Sequence, residues 1–168
     1  MSKADLSADE ACREGALRLL DLRAHAVSEL KTKLRKRGHE IQCVDSVLAD
    51  FLRVGLLDDQ AFARAFCEER ARTKNIGRRR MLADLRKRGV DPETAEDALA
   101  DVWDTGDDEF ARARAAATAK WRSVRRRTED VRAAKQKVAR FLASRGFPFD
   151  VLHQVLDELD TGEQPISS

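Results

Sequence analysis

The chain contains no tyrosine, only three prolines, three cysteines and two tryptophans among 168 residues. Each scarcity excludes something. With so little proline, few β-branched residues and an excess of alanine, leucine, arginine and glutamate, the sequence favours helix over sheet almost throughout. No run approaches the roughly 18 consecutive apolar residues that cross a bilayer. The start, Met1 to Glu10, is polar and acidic rather than built like a secretion signal, so a cytoplasmic chain with no membrane partner is expected. Cys12, Cys43 and Cys67 are odd in number, far apart and without a Cys-x-x-Cys pair, which argues against a disulfide framework or a zinc site and for buried or half-buried free thiols. His25, His39 and His153 lack metal-ligand spacing, no serine or cysteine has a base partner, and phosphate-cradling glycine motifs are missing. The sequence therefore points away from an enzyme: no catalytic residue, no cofactor and no metal is expected.

What is abundant is charge. Charged residues make up 37% of the chain, against roughly 25% in an average domain, while 42% hydrophobic residues are too many for disorder. The formal net charge of +2 hides a segregation into blocks. Asp91 to Glu109 carries nine acidic residues and no basic one, whereas Arg112 to Arg145 carries twelve basic and two acidic. The acidic stretches read as solvent faces, or as surfaces that disfavour indiscriminate duplex binding.

Three Arg-Gly pairs, Arg37-Gly38, Arg88-Gly89 and Arg145-Gly146, bring their flanks into register, so the chain is an internal repeat of roughly fifty residues. Leu30, Met81 and Val138 stand eight residues before the glycine, and Leu34, Leu85 and Leu142 four before it. After it, apolar residues recur at helical spacing: Val44, Val47, Leu48 and Phe51; Ala95, Ala98, Leu99 and Val102; Leu152, Val155, Leu156 and Leu159. Gly38, Gly89 and Gly146 are expected to end helices, because glycine reaches the left-handed conformation without a Cβ clash. The basic residues before them suit the negative end of the helix dipole. A further helix precedes each pair, at about 8 to 24, 59 to 73 and 107 to 123, opened by Ser7-x-x-Glu10, Asp58 and Asp107. Asp91-Pro92 opens another.

The expectation is an all-α chain of three tandem three-helix repeats, about nine helices, forming an elongated, curved array. Its divisions are residues 1–56, 57–105 and 106–162, with a disordered tail at 163–168. The polar, basic stretch Ser123 to Asp130 lengthens the repeat spacing from 51 to 57 residues and reads as a hinge. Trp103, Phe62, Phe110 and Phe141 read as core, and Trp121 is left open.

The series Leu30-x-x-x-Leu34-Arg35-Lys36-Arg37-Gly38, Gly55-Leu56-Leu57-Asp58-Asp59-x-x-Phe62-Ala63, Leu85-Arg86-Lys87-Arg88-Gly89 and Phe141-Leu142-x-x-Arg145-Gly146-Phe147 resembles the RecX family over roughly residues 11 to 160. Leucine at position 57 departs from the tyrosine common there. The resemblance implies tandem three-helix motifs and a regulator that binds RecA recombinase and its filament on single-stranded DNA. It would restrain RecA ATPase, strand exchange and coprotease activity in recombination, repair and the SOS response. The alternative is a helical protein that competes for single-stranded or duplex DNA without touching RecA. Direct DNA contact is otherwise expected to be weak, and the chain to be a monomer.

The candidate contact residues are basic clusters that recur along the repeats: Lys31, Lys33, Arg35, Lys36 and Arg37; Arg78, Arg79, Arg80, Arg86, Lys87 and Arg88; Arg125, Arg126 and Arg127. A planar guanidinium can hold a carboxylate or a phosphate through two bonds, so the pattern suits either an acidic partner surface or a nucleic-acid backbone.

Overall fold

A computed structural model describes residues 7–103 and 109–160. Among these, every regular element is an α-helix: α1 (Ala8–Leu22), α2 (Val27–Lys36), α3 (Ile41–Arg53), α4 (Asp59–Thr73), α5 (Arg78–Lys87), α6 (Pro92–Trp103), α7 (Glu109–Arg125), α8 (Val131–Ser144) and α9 (Phe149–Asp160). They form three consecutive triplets, so the chain is all-α with three tandem three-helix repeats. The first expected helix stops two residues early, at Leu22, and the seventh runs on to Arg125.

Local chemistry sets the helix starts. Ser7 and Glu10 form a reciprocal capping box, each side chain meeting the other's backbone N–H. Asp58 accepts from the amides of Gln60 and Ala61, and Asp91 accepts from Thr94 N at 3.0 Å. Asp107, read as a third such cap, lies outside the described residues, as does the tail from 163.

The glycines end helices as their sequence context demands. Gly38, Gly89 and Gly146 have φ of +91°, +81° and +80°, and the residue after each returns an N–H to the carbonyl of Leu34, Leu85 or Leu142. Gly55 does the same at the end of α3, with φ of +74°.

The stripes defined by the repeat are the core. Leu30, Met81 and Val138, and Leu34, Leu85 and Leu142, are fully buried. Around them the first repeat collects Cys12, Ala16, Leu19, Val44, Val47, Leu48 and Phe51, and also Leu57, whose aliphatic side chain fills a buried place. The third collects Ala113, Ala117, Phe147, Leu152 and Val155. Leu156 and Leu159 pack against that cluster only half-buried. Phe110 and Phe141 pack half-buried against the third-repeat core, Phe62 and Trp103 are likewise half-buried, and Phe66 is buried. Cys12 and Cys67 are buried free thiols and Cys43 is half-buried. Burial pushes the Cys67 thiol up to about 11.

By packing, the chain divides into two compact units: the described residues up to Ala65 together with Leu85–Ala98, and Phe66–Asp84 together with those from Leu99 onward. The division cuts through α4, α5 and α6, so the middle repeat contributes to both units.

Within each unit the same junction recurs. In the first, Val27 N at the start of α2 donates to Asp59 Oδ1 at 2.8 Å. In the second, Arg78 N at the start of α5 donates to Glu109 Oε1 at 2.9 Å. The residues before α2 and α5 are Ala26 and Gly77, which have no side-chain acceptor, so the first residue of the following repeat's first helix supplies the missing cap. The Arg-Gly turn completes the junction. A Cβ on Gly89 would stand 2.6 Å from Ser28 Cβ, and one on Gly146 would stand 2.4 Å from Arg80 N. Arg88 reaches back to Glu29 and Arg145 to the Asn75 carbonyl, while Gly77 N donates to Arg145 O at 2.9 Å. Thus each later Arg-Gly turn seats on the first turn of the preceding repeat's middle helix.

The six extra residues of the last repeat spacing are mainly helix rather than linker. α8 has 14 residues where α2 and α5 have 10, and α7 has 17 where α4 has 15. The stretch read as a hinge begins inside α7, and Arg125 Nη1 bonds the Thr128 and Glu129 carbonyls beyond it. Asp130 then caps α8 itself, accepting from Ala133 N at 3.1 Å.

Candidate basic surface

Lys33, Arg35, Lys36, Arg86 and Lys87 lie in the C-terminal turns of α2 and α5, where the helix dipole favours them, whereas Arg78, Arg79 and Arg80 open α5 and Arg125 ends α7. Several are committed within the fold. Lys31 pairs with Asp45 at 2.6 Å, and Lys33 contacts Glu29 at 3.5 Å. Arg35 donates to the His39 carbonyl at 2.7 Å and Arg37 to that of Gly15 at 3.4 Å. Arg78 is half-buried at the second junction. Arg80 bonds Asp84 one turn on at 3.1 Å, and Arg88 meets Glu29 at 3.5 Å. Arg125 lies over the Trp121 ring at 5.6 Å, which gives that tryptophan a local packing partner.

Six candidates remain exposed and make neither an ion pair nor a side-chain hydrogen bond or ring contact among the described residues: Lys36, Arg86 and Lys87 in the first unit, Arg79, Arg126 and Arg127 in the second. Lys36 and Lys87 hold the same place, two residues before the glycine; the third repeat has Ser144 there. The arginine next to each glycine, in contrast, is a structural tie.

Glu29 is the hub that the sequence did not disclose. Its side chain, 16% exposed, lies within ion-pair range of Arg23, Lys33 and Arg88. Burial pushes its carboxyl up, but the Arg23 guanidinium, with His25 and Lys33, outweighs burial and holds it below the usual range. Beside it His25 is 3% exposed, its Nδ1 2.9 Å from the Arg23 carbonyl and its Nε2 2.8 Å from Lys33 Nζ. The carbonyl can only accept, so Nδ1 carries the hydrogen and Nε2 receives a bond from the ammonium. Burial, with the neighbouring cations Arg23 and Lys33, lowers the His25 pKa despite the carbonyl bond and Glu29. This network holds Lys33 and Arg88 in place, which removes them from the freely available charge.

Among the described residues no cluster of histidine, cysteine and carboxylate side chains could hold a metal ion, and no helix is long and apolar enough to cross a membrane.

Residues 12–51, 58–99 and 107–156 match, in order, the first, second and third three-helix domains of RecX. The chain belongs to the RecX family. Its relatives include the regulatory protein RecX of Pelodictyon phaeoclathratiforme, 36% identical over 141 residues and covering 84% of each chain. The regulatory protein RecX of Mycolicibacterium vanbaalenii is 38% identical over 159 residues, covering 86% of this chain and 85% of that one. The fold matches the crystal structure of RecX from Lactobacillus salivarius with a TM-score of 0.75 at 19% identity, over 92% of this chain and 97% of that one. A second crystal structure of regulatory protein RecX matches with a TM-score of 0.78 at 22% identity, over 94% and 83%. These relatives are regulatory proteins by name.

Proposed function

We propose that the chain regulates RecA recombinase by binding RecA and its filament on single-stranded DNA, restraining ATPase, strand exchange and coprotease activity. The ordered match of all three repeats to RecX domains carries this proposal. The exposed, uncommitted cations Lys36, Arg86 and Lys87 support an electrostatic contact with an acidic surface. Arg88 is a poor candidate for the same contact, since moving it would open the Glu29 network.

The test is RecA's single-stranded-DNA-dependent ATPase and strand exchange with this protein added well below the RecA concentration. Inhibition is expected with the unmodified chain and should be lost in a folded Arg86→Glu/Lys87→Glu variant. Full inhibition by that variant would remove the assigned surface, and no effect of the unmodified chain on RecA would remove the function. If inhibition is instead competition for DNA, it will track the chain's own DNA binding and fade steeply with salt.

A further inference from the structure

The second unit holds a groove of about 570 Å³ that none of the charge clusters singled out in the sequence describes. Its walls come from the end of α4, the turn into α5, α5 as far as Asp84, and α7 with α8. Alanines 116 and 119 on α7 give it depth, because a larger side chain at either place would fill it. Four cations line it, Arg70, Lys74, Arg80 and Arg145, against one carboxylate, Asp84, which bonds Arg80. Lys74 is exposed and makes no ion pair among the described residues. Arg145 is held in place: its guanidinium lies 4.7 Å from the Phe141 ring centre and donates to the Asn75 carbonyl at 3.4 Å. A guanidinium stacked this way keeps donors at its edge for an anion.

We infer that this groove binds the phosphodiester backbone of a single-stranded nucleic acid. The rest of the polar lining, Thr73, Asn75 and Ser144, is neutral and hydrogen-bonding. Phe141 is the groove's one aromatic ring, and cations stand over it from Arg145 and from Lys120 at 5.3 Å. The apolar lining is limited to the buried Ile76, two alanines and the cation-covered Phe141, so a peptide would find no deep anchoring pocket, and the described residues offer no sheet edge to extend. The same covered ring leaves no bare platform for a base to stack on, so binding reads charge and not sequence. At about 570 Å³ the groove has room for a short length of one strand and not for two paired strands. The inference goes beyond the RecA proposal and is tested without RecA, so either can fail alone.

The test measures binding of a fluorescent oligothymidylate of about 16 nucleotides, near the upper site size of a single-strand-binding fold, by the full chain over a salt series. With four cations offset by one carboxylate, the log–log salt slope should be about −2, at −0.7 per phosphate neutralised. Lys74→Gln/Arg80→Gln should bring it to between −1.4 and −0.7, the shallower end if the released Asp84 repels the strand. Ala119→Glu, at an exposed helix position that leaves the core intact, should abolish binding by filling the groove with a carboxylate. Arg126→Gln/Arg127→Gln should change binding little by comparison. The inference is overturned if the oligonucleotide does not bind, if the groove variants bind it unchanged, or if polyglutamate of equal charge binds as tightly and displaces it, which would make the groove an acidic-protein site.

Discussion

Substituting alanine for glycine at the three Arg-Gly turns separates backbone strain from repeat stacking. At Gly38 nothing lies within 4 Å of a new Cβ, so Gly38→Ala carries only the left-handed backbone penalty, roughly 1 to 2 kcal/mol. At Gly146 the same penalty applies, but the Cβ would stand 2.4 Å from Arg80 N and 2.6 Å from Arg80 Cβ. The first of these is backbone in the opening turn of α5, hydrogen-bonded to Gly77 O at 3.1 Å, and cannot swing aside. Relief requires the junction to open, which adds about 1 to 3 kcal/mol as in other overpacked cores. Gly146→Ala should therefore cost roughly 2 to 5 kcal/mol. Gly89→Ala, opposed by the Ser28 side chain, should be partly rescued by Ser28→Gly, since removing the Ser28 Cβ removes its nearest clash. Urea denaturation followed by circular dichroism measures all four variants, with a double-mutant cycle for the Gly89 and Ser28 pair. If Gly146→Ala is no more destabilising than Gly38→Ala, the Arg-Gly turn is a helix cap alone and the close approach between repeats is wrong.

Asp59 offers a second check on the same junction. Burial raises its pKa above the ordinary 3.8 against the opposing Val27 N–H bond, with Asp91 and Asp58 adding to the rise. Its contribution to stability is therefore full below 3.8 and lost as pH rises through the folded value. At neutral pH Asp59→Asn, which keeps the acceptor without the charge, should be neutral or stabilising, whereas Asp59→Ala should cost about 1 kcal/mol in a urea titration. The His25 shift has the opposite sense. Its folded pKa lies below 6.5, so stability is full above 6.5 and declines as pH falls from there towards the folded value. Melting temperatures from pH 7.5 to 5 should drop less steeply for His25→Gln than for the unmodified chain, and equal slopes would refute that role for the buried imidazole.

The repeat, the glycine turns and the buried stripes were legible in the sequence because each is a local signal: a spacing, a break or a cap. Leu34, Leu85 and Leu142 share one offset from glycine and one fate, complete burial. The junctions were not legible in the same way. Gly77 meets Gly146 across 69 positions through backbone atoms, and no side-chain pattern marks such a contact. The basic clusters could be counted but not sorted, since the separation of Arg86 from Arg88 depends on Glu29, three helices earlier in the chain. Arg80 and Arg145 lay inside recognised basic stretches, yet the groove they share with Arg70 and Lys74 appears only when four elements converge. The degree of burial of the aromatic residues was not legible, because helical spacing identifies the inward face without saying how far a large ring protrudes from it. The lengthened last spacing did not show that most of the extra residues lengthen α7 and α8, because a polar run such as Ser123 to Asp130 can both end a longer helix and join it to the next.

The repeats are not interchangeable building blocks. α2 and α5 begin behind Ala26 and Gly77 and borrow their caps from whatever follows, whereas α8 begins behind Asp130 and needs nothing further. The Gly38 turn has the same shape, but among the described residues nothing lies within 4 Å of where its Cβ would stand. The chain thus carries a direction and a local stop sign. Shuffling the first or second triplet into last place would expose a helix start with no acceptor, and duplicating the third would set a self-sufficient cap where an acceptor-seeking start belongs. Growth of this architecture by gene duplication is correspondingly constrained: new units fit most readily before the terminal one, and each must bring the carboxylate that its predecessor lacks.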